Sequence, residues 1–191
     1  MTTQQAVYPD LEGKTVLVSG GASGIGEFLV RAFAAQGARV GFVDRAQSQG
    51  ERLAALLHSQ GYKVEFVCCD ITDEIAYKAA IERFEHSLGP ITVLVNNAAN
   101  DVRHTLEEVD SAMFDRLIAV NLKHAFFAAK AVVPMMKRAG GGAIINLGSV
   151  GWMMASAGYP VYAASKAAAH GMTRALAREL GPNHIRVNTL V

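Results

Sequence analysis

Short runs of β-branched and apolar residues alternate along this chain with longer amphipathic stretches. The runs Thr15–Ser19, Arg39–Asp44, Val64–Cys69, Thr92–Asn96, Ala143–Leu147 and Arg186–Val191 have strand length and are nearly continuous in apolar positions. Between them, Ile25–Gln36, Gln47–Gln60, Glu74–Leu88, Met113–Arg138 and Val161–Leu180 repeat apolar positions at helical spacing. Strands without polar alternation are covered on both faces, as parallel strands are. Strand–helix alternation then calls for right-handed crossovers. The pattern predicts an α/β fold, a doubly wound parallel sheet with helices on both faces. No linker, repeat or low-complexity stretch divides residues 1–191, so one domain is expected.

Composition sharpens this picture by exclusion. With 51% hydrophobic and 18% charged residues, the chain buries a large core and is not a disordered sequence. The net charge is +1, from 18 basic and 17 acidic residues without a long charge run, so nucleic acid is not an expected partner. The start, MTTQQAVYPDLEGK, has neither a basic n-region nor an apolar h-region, which predicts no signal peptide and a cytoplasmic location. Apolar stretches such as Ala125 to Met136 carry Lys130 and Pro134 and are shorter than a bilayer span, so no membrane is expected either. Cys68 and Cys69 are adjacent, pointing to opposite faces of a strand, and predict no disulfide with each other. The histidines are scattered without ligand spacing, and no metal site is expected.

The residues able to do chemistry gather at the carboxyl ends of the predicted strands, where ligands of doubly wound sheets bind. After the first strand comes Gly20-Gly21-Ala22-Ser23-Gly24-Ile25-Gly26, a G-x-x-x-G-x-G turn opening a helix. Such a turn either cradles phosphates or is a glycine-rich bend without a ligand. We take Gly20, Ser23, Gly24, Ile25 and Gly26 as dinucleotide contacts. Asp44 ends the second strand and is placed either to accept from the adenosine ribose hydroxyls or to cap the next helix. Its charge would repel a 2′-phosphate, and with no Lys or Arg in the glycine turn this favours NAD over NADP, although Arg45 is adjacent. Asp70, with Ile71 beside it, either meets the adenine or caps a helix. Asn96 and Asn97 close the fourth strand on the same edge, and Asn97 and Ala98 are taken as further cofactor contacts.

At the other end of this edge stand Ser149, Tyr162 and Lys166. Tyr162 and Lys166 are four apart on a predicted helix and share a face. A neighbouring ammonium favours the phenolate, which makes Tyr162 a candidate general base toward an alcohol. Ser149 would hydrogen-bond the reacting oxygen. A Tyr and a Lys four apart are also common as a surface pair; the serine and the glycine turn give this pair its weight.

The segments SGGASGIG (Ser19–Gly26), CDI (Cys69–Ile71), NNAA (Asn96–Ala99), VN (Val120–Asn121), NLGS (Asn146–Ser149), YAASK (Tyr162–Lys166) and IRVN (Ile185–Asn188) together resemble the short-chain dehydrogenase/reductase family. The resemblance runs from about Leu11 to the last residue. It implies a Rossmann-like NAD-binding domain that also carries the catalytic residues. It implies a fourth catalytic residue, Asn121, holding a water that links Lys166 to solvent; by pattern alone Asn121 is a polar residue inside a long helix. It gives Lys166 a contact to the nicotinamide ribose, and it implies a homodimer or homotetramer. Ser19 replaces the family's usual Thr, and Ala99 its usual Gly. The family continues after its sixth strand with a Pro-Gly turn, a substrate loop and a seventh strand. This sequence stops before them, so an exposed apolar sheet edge is expected, and the residues are expected to be the ordered part of a longer polypeptide.

A finer resemblance, in NNAANDVRH (Asn96–His104), GGGAIINLGSVGWM (Gly140–Met153) and ALARELGPNHIRVN (Ala175–Asn188), is to bacterial sugar dehydrogenases of the xylose, arabinose, rhamnose and fucose type. It implies oxidation of an aldose to its lactone. Asn100, Asp101, Arg103 and His104 would then reach sugar hydroxyls, with Trp152 stacked on the ring; the other reading is an exposed loop and a packed Trp. We take Asn100, His104, Ser149 and Trp152 as candidate substrate contacts. Two other readings stay open: a 3-ketoacyl or general alcohol/ketone reductase, and a nucleotide-binding protein without catalysis.

Overall fold

The computed structural model describes residues 6–191. The first five residues, part of the stretch expected to carry no signal peptide, lie outside the described residues. Six strands form one parallel sheet: β1 (Thr15–Ser19), β2 (Arg39–Asp44), β3 (Val64–Cys68), β4 (Ile91–Asn96), β5 (Gly142–Leu147) and β6 (Ile185–Leu190). The helices are α1 (Gly24–Ala35), α2 (Gln47–Ser59), α3 (Glu74–Leu88), α4 (Ser111–Ile118), α5 (His124–Arg138) and α6 (Pro160–Leu180). The strand order is β3-β2-β1-β4-β5-β6, so the chain winds outward in both directions from the β1–β4 pair. Carboxyl ends diverge at that reversal and leave a cleft.

Alternation along each strand divides the core in two. Val16 and Val18 of β1 face one layer with Val30 and Ala34 of α1 and Leu53 and Leu57 of α2. Leu17, between them, faces the other layer with Phe84 of α3 and Ala128 and Val132 of α5. Both faces of β1 are apolar because both are covered. β5 and β6 are fully covered on one face only: Ile144 and Val187 are buried, while Ile145 and Leu147 sit half-buried at the margin of the other layer and Leu190 is exposed. The apolar edge expected from the sequence is present, with Leu190 59% exposed.

The element boundaries fall within two residues of those predicted, with one difference of substance. The stretch predicted as one helix from Met113 begins at Ser111, where Asp110 accepts from the Met113 amide at 2.6 Å, a helix N-cap. It runs to Arg138 as α4, a π-helical turn over Ala119–Lys123, and α5. Continuous over 28 residues, with a mean hydropathy of 1.3 in its most apolar 18-residue window, it is long and apolar enough to cross a membrane by length and composition. The estimate that no stretch reaches span length is corrected: Lys130 and Pro134 do not break the helix. Its buried face, with Leu117, Ala125, Ala128, Val132 and Met136, packs against the fold.

A buried polar chain fastens α6 to the sheet. Asn96 Nδ2 donates to Asn146 Oδ1 at 2.8 Å, and Asn146 Nδ2 donates to Thr173 Oγ1 at 2.9 Å. Thr173 donates in turn to the Ala169 carbonyl, and Thr189 of β6 donates to Thr173 at 2.8 Å. Since α6 carries Tyr162 and Lys166, this chain sets where they stand.

Candidate active site

The cleft at the strand ends has a volume of about 1400 Å³ and is lined by the glycine turn, Asp44, Asp70, Ile71, Asn97 and Ala98 among others. The glycines of the turn differ in what they do. Gly20 sits at φ +67°, and a Cβ there would lie 2.9 Å from the Ala98 backbone. Gly26 presses on the turn itself: a Cβ would lie 2.7 Å from Asn97 Nδ2 and 2.8 Å from the Gly20 carbonyl carbon. At Gly24 a Cβ would meet nothing within 4 Å. Thus Gly20 and Gly26 build the turn, and Gly24 is the glycine that opens onto free space. Ser23 precedes α1 without a side-chain capping bond, so the hydroxyl and the first amides of α1 remain available.

Ser19 and Asn97 hold this turn against β4. The amides of Asn97 and Ala98 both donate to Ser19 Oγ at 3.1 Å. Asn97 Nδ2 donates to the Ser19 and Gly20 carbonyls at 2.9 and 3.0 Å. Motif matching flagged both segments but gave Ser19 no role. A hydroxyl after β1 facing two amides is the physical reason that a Ser or Thr suits the position.

Neither aspartate caps a helix. Asp44 accepts from the Ala22 amide at 3.0 Å and the Ala46 amide at 2.9 Å, bridging the glycine turn to the start of α2, whose N-cap is Ala46. Each oxygen keeps further acceptor capacity, and the residue lines the cleft. Asp70 closes a turn on the Thr72 amide and hydroxyl at 2.9 and 2.7 Å. The cap of α3 is Asp73, which accepts from Ile75 and Ala76. Partial burial of the Asp70 carboxyl raises its pKa, but the two Thr72 bonds and the Arg45 guanidinium, 3.8 Å away, together hold it below the ordinary carboxylate range. Cys68 and Cys69 are free thiols. Burial first, then the neighbouring carboxylates, pushes the Cys69 thiol up to about 11.

Lys166 is 3% exposed and donates to the Leu147 carbonyl at 2.6 Å, two residues before Ser149. Its ammonium lies 5.6 Å from the centroid of the Tyr162 ring. Burial pushes this amine down to about 8. Ser149 Oγ accepts from the Gly151 amide at 3.0 Å, which leaves the hydroxyl hydrogen free to donate. Asn121, 3% exposed in the π-helical turn, is engaged on both side-chain atoms with the backbone of Asn100: Oδ1 accepts from its amide at 2.8 Å, and Nδ2 donates to its carbonyl at 2.9 Å. It ties the loop after β4 to the helix. π turns recur at functional sites.

The candidate substrate contacts separate here. Asn100 lines the cleft, and Ser149 follows the end of β5. His104 is corrected. It is 4% exposed, with Nδ1 donating to the Val102 carbonyl at 2.8 Å and Nε2 accepting from the Val161 amide at 3.4 Å. Both ring nitrogens are engaged by the backbone, and the ring braces the start of α6. Arg103 is drawn away from the cleft too, with its guanidinium 4.0 Å over the Tyr159 ring. Trp152 packs against His170, ring centroids 5.9 Å apart, so the packed reading of this residue describes the structure. Periodicity could not separate these cases, because loops after β4 and β5 fold onto each other.

The residues present fit a dinucleotide. The cleft has the volume, Gly24 leaves the space, and Ser23, the α1 amides and Asp44 offer donors and acceptors along it. Comparison with known proteins agrees. The family model of the short chain dehydrogenases matches residues 14–191. The D-xylose 1-dehydrogenase of Caulobacter vibrioides is 46% identical over 97% of this chain and 73% of its own length. A protein named probable galactose dehydrogenase GalD, of Rhizobium meliloti, is 43% identical over 100% of this chain and 75% of its own. Among solved structures, a blue fluorescent protein from a metagenomic library, in complex with NADPH, is 37% identical with a TM-score of 0.87, covering 94% of this chain and 73% of that one. The apo form of LigO from Sphingobium sp. strain SYK-6 superposes with a TM-score of 0.90 at 28% identity, over 96% of this chain and 68% of that one. This chain belongs to the short-chain dehydrogenase family, oxidoreductases that use a nicotinamide cofactor.

Proposed function

We propose that this chain is an NAD-dependent dehydrogenase that oxidises an aldose at its anomeric carbon to the lactone, with Tyr162 as general base. The observation that carries the chemistry is the buried Lys166 ammonium, fixed by the Leu147 carbonyl and set 5.6 Å from the Tyr162 ring. The sugar reading is supported by the two sugar dehydrogenases among the relatives, at 46% and 43% identity, against 39% for a 3-alpha-(or 20-beta)-hydroxysteroid dehydrogenase of Mycobacterium bovis.

A bound nicotinamide dinucleotide would supply the hydride acceptor. Tyr162 takes the hydroxyl proton of the sugar, and the Lys166 ammonium stabilises the negative oxygen of the base. Ser149, its acceptor capacity partly taken by the Gly151 amide, donates its hydroxyl hydrogen to the substrate oxygen and orients it. Asn121 fixes the loop carrying Asn100, which leaves Asn100 at the sugar side of the cleft. Asp44 would accept from the adenosine ribose hydroxyls, and its charge would disfavour a 2′-phosphate. Ser23, Ile25 and the α1 amides would hold the phosphates, Asp70 and Ile71 the adenine, and Asn97 and Ala98 the middle of the cofactor.

The test is NADH formation with purified protein and a panel of aldoses, steroids and acyl thioesters. Turnover confined to steroids or acyl thioesters refutes the sugar assignment. The Tyr162→Phe variant should lose turnover while keeping NAD affinity within about twofold; persistence of turnover refutes the base assignment.

A further inference from the structure

The Tyr162 ring has an aromatic and a cationic neighbour among the described residues. One turn further along α6 stands Lys166, its ammonium 5.6 Å from the ring centroid. One turn before it, at the N-cap of α6, stands Tyr159, whose ring centroid is 5.3 Å away at an interplanar angle of 85°. Aromatic pairs favour this edge-to-face arrangement. Tyr159 is 8% exposed and Tyr162 is half-buried, so the contact is largely shielded from water. A tyrosine acting as base must hold its phenolic oxygen in place, and that oxygen is the side-chain atom farthest from the backbone. A small rotation of the side chain carries it through the widest arc, so whatever presses on the ring sets where the oxygen stands.

Tyr159 is itself held. The Arg103 guanidinium lies 4.0 Å from the centroid of its ring, a cation–π contact. Arg103 belongs to the loop after β4, and this loop grips the approach to α6 at three further points. Arg103 Nη1 donates to the Ala157 carbonyl at 3.3 Å, the His104 amide donates to the Gly158 carbonyl at 2.9 Å, and the Val161 amide donates to His104 Nε2 at 3.4 Å. The tip of Tyr159 reaches Gly151, where a methyl would lie 2.6 Å from Tyr159 Oη and 3.2 Å from Ser149 Oγ. The amide of the same Gly151 donates to Ser149 Oγ. One side chain thus touches both the turn that holds Ser149 and the ring of Tyr162. Arg103 is exposed, and the aromatic ring its guanidinium covers is Tyr159.

We propose that Tyr159 is a positioning residue for Tyr162, its ring clamped by Arg103 and fixing the orientation of the base toward the substrate. This rests on the assignment of Tyr162 as the base. The role belongs to the ring and not to the hydroxyl, because the contacts to Tyr162 and to Arg103 are both made by the ring. Phenylalanine can therefore serve at this position, and an aliphatic side chain cannot. Arg103 acts on the chemistry without touching the sugar: it holds Tyr159, and Tyr159 holds Tyr162. No bond forms or breaks at Tyr159, and the proton of the alcohol still passes to Tyr162.

The test compares Tyr159→Leu, Tyr159→Phe and Arg103→Met in aldose oxidation. Tyr159→Leu should lower kcat about tenfold and leave KM and NAD affinity within about twofold, because orientation of the base acts on the chemical step. Tyr159→Phe, which keeps both ring contacts, should stay within about twofold of the parent. Arg103→Met, at an exposed position, should lower kcat about threefold. The double variant Tyr159→Leu/Arg103→Met should be no slower than Tyr159→Leu alone, since the guanidinium acts through the ring. The proposal is overturned if Tyr159→Leu keeps kcat within about twofold of the parent, if Tyr159→Phe is as slow as Tyr159→Leu, if NAD affinity falls in step with kcat, or if the two losses multiply. Turnover by Tyr162→Phe would instead refute the base assignment. A measurement without substrate then decides the clamp by itself. In protein carrying ¹³C-labelled tyrosine, the Tyr162 ring resonances, assigned by their loss in Tyr162→Phe, should move in Arg103→Met; unmoved resonances overturn the proposal.

Discussion

Alanine at Gly26 and at Gly24 should have opposite characters, although both glycines belong to the same turn. At Gly26 the new methyl would lie 2.8 Å from the Gly20 carbonyl carbon and 2.7 Å from Asn97 Nδ2. The Gly20 carbonyl oxygen is nearer still and would overlap the methyl outright, so α1 and the turn must part by about 1 Å or more. The turn cannot give easily, because Gly20 donates to the Val43 carbonyl at 2.8 Å and its own carbonyl accepts from Asn97 at 3.0 Å. Overpacking against such fixed neighbours costs about 1–3 kcal/mol or more. At Gly24 nothing lies within 4 Å, and only the backbone angle of φ +54° is strained. That costs an L-residue about 1–2 kcal/mol. For a protein of this size 1 kcal/mol moves Tm by about 2–4 °C. Gly26→Ala should therefore melt about 6–12 °C below the parent if the overpacking reaches about 3 kcal/mol. Gly24→Ala should melt about 2–8 °C below it and lose NAD affinity out of proportion, since its methyl enters the cleft. Calorimetry gives the melting temperatures, and quenching of Trp152 fluorescence gives the affinity. A Gly26→Ala variant melting within about 2 °C of the parent, or Gly24→Ala melting below Gly26→Ala, would refute the division of labour.

Other expectations follow from the same contacts. Thr173→Val leaves Asn146 Nδ2 and Thr189 Oγ1 without their partner and should destabilise the fold by about 1–3 kcal/mol, measured by urea unfolding; an unchanged midpoint would show that the chain is not needed. Lys166 titrates at about 8 in the fold, lowered from 10.5. Between these values the unfolded chain holds the proton that the folded one has released, so stability gains with rising pH across that window. Lys166→Met removes this contribution, and its stability relative to the parent should fall by about 3 kcal/mol from pH 7.5 to pH 10.5; a constant difference refutes it. Asp44→Ser should narrow the preference for NAD over NADP while costing about 1–3 kcal/mol, because the Ala22 and Ala46 amides lose their acceptor. Titration with both dinucleotides checks the first part and thermal melting the second.

The sequence by itself determined the sheet and its crossovers. Unbroken apolar strands such as TVLVS can only be buried on both faces, and glycines at 20, 24 and 26 can only mark a turn of unusual geometry. It also placed the chemical residues on one edge of that sheet, because strand ends are positions in a pattern. Tertiary structure alone decided what each side chain there does. His104 and Arg103 read as cleft residues until the loops after β4 and β5 closed on each other and drew both away. Asp70 read as a possible helix cap, but its carboxylate is taken by Thr72, and Asp73 is the cap. The π-helical turn that buries Asn121 and His124 leaves no trace in periodicity, since one extra residue per turn shifts a helical pattern by less than the pattern's own tolerance. The chain from Asn96 through Asn146 and Thr173 to Thr189 joins residues as far as 93 positions apart. Hydrogen bonds between such distant groups exist only once the sheet has brought them together.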